Sequence, residues 1–193
     1  MELLENIFNI IRSSPLLKST SILLFSIITA KIVDIIFTFI FKRIVDRTQT
    51  SLDDQILQLL HKPVFLTILF FGFNIAIKVA KLPVEIEFAL IGLFKTITIL
   101  IWLFVSIKIL IVTMEWFSRQ QASSFLQKNT LPLFINLGKI AIGLFAIYFI
   151  FLSWDINING ILASAGVLGV VLGLAAKDTV SNFFAGIFLM ADS

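Results

Sequence analysis

Few side chains in these 193 residues could act on a bound molecule. The chain has no cysteine, so neither a disulfide framework nor a thiolate metal site can form. His61 is the one histidine. No Asp, Glu or Cys cluster stands near it at metal-ligand spacing, so it reads as a solvated loop residue. Asp53 and Asp54 are adjacent, and adjacent helical residues point in different directions, so they do not make a catalytic carboxylate pair. No Ser/His/Asp set and no phosphate-cradling glycine loop is present. The expectation is a protein that is not an enzyme, with no cofactor and no bound metal. What remains is charge held in apolar surroundings. Lys31 and Asp34 stand mid-way along an apolar run, at a spacing that lets them pair on one helical face. Lys95, Lys108 and Lys139 are alone in theirs. Ionisable groups inside a bilayer are costly and often functional. The structural reading is a neutralised pair and three lysines that snorkel to the headgroups. The functional alternatives are a polar relay and lipid-headgroup binding.

A second set of residues carries a different kind of function. Gly160 to Met190 is apolar and rich in Gly and Ala. Each Gly costs a helix about 1 kcal/mol relative to Ala, but in a membrane small residues let helix backbones approach closely. At about 100° per residue, Gly166, Gly169 and Gly173 share one face. Val170 and Leu174 share another, about a quarter turn away. Such a helix can serve as a stave in a ring, its smooth flank against the next copy and its Val/Leu row inward. Apolar rings of this kind gate water and ions by dewetting. The plainer alternative is a small-xxx-small helix packed inside a bundle.

The stretch Ala163 to Gly186 resembles the pore-lining helix of the small-conductance mechanosensitive (MscS-like) channel family. The matching features are the Gly/Ala run, the apolar pair Val170 and Leu174, a polar break, and Ser181-Asn182-Phe183-Phe184-Ala185-Gly186 after it. Leu-Ala-Ala-Lys-Asp-Thr followed by Ser-Asn-Phe-Phe is similar to larger family members with extra membrane helices. Thr50-Ser51-Leu52-Asp53-Asp54, then Leu57, Leu59 and Pro63, resembles an interhelical loop of those members more weakly. The resemblance implies packing positions at Ala163, Gly166, Gly169 and Gly173, a constriction at Val170 and Leu174, and a kink at Lys177-Asp178. It also implies a homoheptamer that passes ions and answers to membrane tension. This chain departs from the best-known members in having Val167 and Val171 where they have Ala, and Lys177-Asp178 where they have Gln-Gly. Family members continue into a cytoplasmic vestibule region. The end at Ala191-Asp192-Ser193 therefore reads as that of a fragment, or of a member without the vestibule.

The elements that must position these residues follow from composition. The chain is 59% hydrophobic and only 14% charged, where a soluble domain carries about 25% charged residues. This predicts an all-α integral membrane protein with five transmembrane helices, the last a kinked Gly/Ala-rich pore helix. The expected spans are Thr20–Phe41, Pro63–Ala80, Phe88–Thr113, Leu131–Ser153 and Gly160–Met190, each long enough for a core of about 30 Å. The last exceeds one straight span, so a break is expected near Lys177-Asp178. Leu3, Leu4, Ile7, Ile10 and Ile11 share one face and suggest an interfacial helix within residues 1–18. Residues 19–158 would then hold four lipid-facing helices, and 159–193 the pore helix.

Ser51 and Asp54 have capping-box spacing, and Ile56, Leu57, Leu59 and Leu60 suggest a short amphipathic helix ending at Pro63. Trp102, Trp116, Tyr148 and Trp154 fall near some of the expected span ends. Lys42, Arg43, Arg47, Lys62, Arg119 and Lys128 fall on one side, against Arg12, Lys18, Lys78 and Lys81 on the other. That asymmetry favours an outside N-terminus and a cytoplasmic C-terminus, in what is expected to be a bacterial inner (plasma) membrane. The net charge of +3 is small and does not suggest nucleic acid. The expected partners are lipids, identical subunits and permeating ions. Two other functions fit the residues: a transporter subunit using Lys31, Asp34 and Lys139 as a relay, and a non-conducting scaffold in which the glycine row only joins helices.

Overall fold

The computed structural model describes residues 15–45, 51–120 and 131–191. They form five helices and, among the described residues, no strand. These are α1 (Pro15–Val45), α2 (Ser51–Val79), α3 (Val84–Gln120), α4 (Leu131–Ser153) and α5 (Asn159–Ala191). All five contain a stretch long and apolar enough to cross a membrane. The chain is an all-α integral membrane protein. The interfacial helix expected within residues 1–18 lies outside the described residues, apart from the first turn of α1, as do Arg12, Arg47 and Lys128.

The helix ends obey their electrostatics. Asp53 and Asp54 occupy the first turn of α2 and Lys78 its last; Glu85 and Glu87 open α3 and Arg119 closes it. Carboxylates near an N-terminus and cations near a C-terminus complement the helix dipole. Between α2 and α3, the Ala80 N–H donates to Ala76 and Ile77, and Lys81 turns the chain in the left-handed region at φ 53°. The Pro83 carbonyl then accepts from Ile86 and Glu87 as α3 begins. Inside the helices, hydroxyls return to the backbone. Ser19, Ser26, Thr29, Thr67 and Thr98 each donate to the carbonyl four residues back. In lipid no water satisfies these groups, so the helix itself must.

Pro63 corrects one expectation. It does not separate a connecting helix from a span; it lies inside one 29-residue helix, α2. A proline removes one backbone bond, and the helix continues through it. Lys62 and His61 therefore stand on a helix rather than in a loop.

The chain divides into two units, residues 1–154 and 155–193. In the first, α1 packs on α2, α2 on α3, and α3 on α4. The residues buried at the helix contacts are small: Ser19, Ser26, Ala30, Ala76 and Ala146. Large apolar side chains point outward instead, among them Phe25 at 71% and Phe145 at 66% exposure. Phenylalanines this exposed, with so small a buried core, need lipid as their solvent. The second unit is α5, preceded by an Asx turn in which the Asn157 side chain accepts from the Asn159 N–H.

Candidate pore helix and the polar contacts of the bundle

Three pins join the helices of the first unit. Between α1 and α2, the Gly72 backbone sits so close to Ser26 that any Cβ there would collide with its side chain. Between α2 and α3, the Trp102 indole donates to Thr67 Oγ1 at 2.9 Å. Between α3 and the end of α4, the Trp154 indole donates to Thr96 Oγ1 at 2.9 Å, its ring lies over Gly92, and Phe88 meets it edge-on. An indole N–H in apolar surroundings must find an acceptor. This answers the placement of Trp102, which lies mid-way along α3 and serves a helix contact rather than a membrane interface.

A fourth contact concerns Asp34 and His61. The sequence pairs Asp34 with Lys31. In the structure His61 Nε2 on α2 approaches Asp34 Oδ1 at 2.9 Å and Thr38 Oγ1 at 3.1 Å. The Thr38 hydroxyl donates to the Asp34 carbonyl, so its oxygen is left to accept, and the geometry assigns a shared proton to Nε2. Phe37 meets the imidazole ring edge-on. His61 is thus a helix-to-helix contact with its side chain 39% exposed, not a solvated loop residue. Lys31 lines the same cleft, together with Lys62, Phe65 and Leu66. Lys139 is not among the residues of that cleft, so the relay of Lys31, Asp34 and Lys139 is not assembled there. Sequence reasoning missed the His61 contact because the two residues are 27 positions apart and on different helices. The available signal was a carboxylate within one apolar run and a lone imidazole at the start of the next.

Lys95 and Lys108 both lie on α3, in different clefts. Lys95 lines one with Lys78 at the junction of α2, α3 and α4; Lys108 lines another with Lys62 between α2 and α3.

In α5, Ala163, Gly166, Gly169, Val170, Gly173 and Leu174 fall on one 33-residue helix, about 50 Å long at 1.5 Å per residue. A Cβ added at Gly166, Gly169 or Gly173 would meet nothing within 4 Å among the described residues. Val170 is 64% and Leu174 69% exposed. Val167, Leu168, Val171 and Leu172 are exposed as well. The helix runs unbroken through Lys177 and Asp178, where the sequence suggests a break. Neither residue removes a backbone bond, as proline would, so the hydrogen-bond ladder continues through them. Among the described residues no group of three or more His, Cys, Asp or Glu could hold a metal.

A family model described as "Mechanosensitive ion channel, transmembrane helices 2/3" matches residues 136–177, from α4 to Lys177 in α5. A "Small-conductance mechanosensitive channel MscMJ" from Methanocaldococcus jannaschii is 29% identical over 182 residues, covering 90% of this chain and 52% of its own length. An uncharacterized MscS family protein of Aquifex aeolicus is 27% identical over 178 residues, covering 90% of this chain and 47% of its own. Over 90% of its length the chain is similar to members of the MscS-like family. It spans about half the length of these two curated relatives. The MscS family protein YhdY of Bacillus subtilis is 34% identical over a shorter stretch of 61 residues, covering 32% of this chain and 16% of its own. No solved structure matches the chain. The matched residues take in both the glycine row and the Val170/Leu174 row.

Proposed function

We propose that this chain is a subunit of a homo-oligomeric channel opened by membrane tension, with α5 lining the pore. By family resemblance the ring is a heptamer. Gly166, Gly169, Gly173 and Ala163 form the flank against the next copy, and Val170 and Leu174 form an apolar constriction that stays dry when closed. The helices α1 to α4 face lipid and feel its tension, with the N-terminus outside and the C-terminus in the cytoplasm. If Lys177 faced the path, a ring of cations there would favour anions. A bend at Lys177-Asp178 in the assembled ring would come from contacts with neighbouring backbone, since the helix of the single chain is continuous there.

One observation carries this reading. The family match runs through a helix whose glycine row is open and whose Val/Leu row is exposed in the single chain. The absence of native cysteine permits a clean test. With Leu174→Cys, a cationic water-soluble thiol reagent should block current only while the pore is open. Block at a lipid-facing control such as Phe145→Cys instead, with none at Leu174→Cys, would remove α5 from the pore.

A further inference from the structure

The cleft between α2 and α3 near the start of α2 has the make-up of a lipid site. Its volume is about 590 Å³, within the range of ligand pockets. Gln55, Gln58, Lys62 and Lys108 line it, and Ile101 and Phe104 stand among its apolar walls. The helices are antiparallel, as the Trp102–Thr67 and Phe70–Phe94 contacts show. That register brings Lys108 to the level of Gln58 and Lys62, one helical turn further along α2, near the level of Phe104. The cations and amides thus gather toward the α2 start, and the apolar wall continues into the span.

The charges in this cleft are unbalanced. No carboxylate lines it. Among the described residues neither Lys62 nor Lys108 has an acidic group within salt-bridge distance. Asp34 lies in the adjoining cleft that Lys62 also borders, but its carboxylate is engaged by His61. Two ammonium groups on membrane-spanning helices, without counter-charge and beside amide donors and an apolar wall, call for an anion attached to a chain. We propose that this cleft binds one anionic phospholipid, its phosphate held by Lys62 and Lys108 with Gln55 and Gln58 donating to the headgroup oxygens, and an acyl chain against Ile101 and Phe104. The inference concerns the membrane environment of the proposed channel, and its test needs no ion current.

The test is retention of lipid by the purified chain. Protein in detergent is offered equal amounts of phosphatidylglycerol and phosphatidylcholine with matched acyl chains, and bound lipid is counted by native mass spectrometry. The wild type should prefer phosphatidylglycerol. Each lysine near an anionic surface contributes enough that losing both should reduce this preference on the order of tenfold. Lys62→Gln with Lys108→Gln should therefore bring it near parity, while Lys62→Arg with Lys108→Arg, and Lys78→Gln with Lys95→Gln, should keep it. The wild-type preference should also fall as salt rises, a readout that stands even if the glutamine variant does not fold. Equal retention of both lipids by the wild type, an unchanged preference in a folded Lys62→Gln/Lys108→Gln variant, or a salt-independent preference would overturn the proposal.

Discussion

Trp154 shows how single residues hold this bundle. Its indole N–H has one partner, Thr96 Oγ1, and that hydroxyl itself donates to the Gly92 carbonyl. Thr96→Val keeps the shape of the side chain and removes the acceptor. The indole N–H is then left unsatisfied in apolar surroundings, and we expect a loss of about 1–3 kcal/mol, read as a lowered unfolding midpoint in detergent. Trp154→Phe, which removes donor and need together, should restore part of the polar deficit while losing ring contact with Gly92 and Phe88. Thr96→Val with no measurable effect would mean that the hydrogen bond is incidental. In α5 the relevant residue property is wetting. Val170→Ser and Leu174→Ser place hydroxyls in the proposed constriction, so both should open at lower tension than the wild type. The residue scale is also where the sequence was least legible. The pairing of Lys31 with Asp34 followed from local spacing. The imidazole that takes the carboxylate comes from another helix, and such contacts between distant residues leave no periodic trace in one sequence.

The helices themselves were far more legible, because each carries an apolar run that only a bilayer accommodates. The Leu131–Ser153 span appears with the same limits as the sequence suggests. The span of α2 does not, because Pro63 reads as a boundary while the helix passes through it. The glycines separate into two kinds that the sequence could not tell apart. Gly72 is a contact within the chain, pressed against Ser26, whereas among the described residues Gly166, Gly169 and Gly173 meet nothing within 4 Å. Gly72→Val should force α1 away from α2 at a cost of about 1–3 kcal/mol, visible as faster hydrogen exchange in both helices. Gly169→Leu tests the second kind. In the ring reading it should instead lower the fraction of oligomer on size-exclusion chromatography. An oligomer indifferent to Gly169→Leu would place the assembly contact elsewhere.

At the scale of the whole molecule, the governing quantity of the proposed channel is area. The large apolar side chains of the bundle are exposed and its buried core is small. If the open ring occupies more membrane area than the closed one, tension shifts the population toward it, and no ligand is required. The membrane class and the likeness to the MscS-like family were legible from composition and from the run between Ala163 and Gly186. The subunit arrangement was not, because it depends on contacts between copies that one chain does not contain. The most direct measurement is of patch currents from liposomes carrying the assembled chain while suction is applied. The account predicts stepwise currents that rise with tension and appear at lower tension in Leu174→Ser. Silence from a correctly inserted oligomer, or thresholds identical in wild type, Val170→Ser and Leu174→Ser, would contradict it.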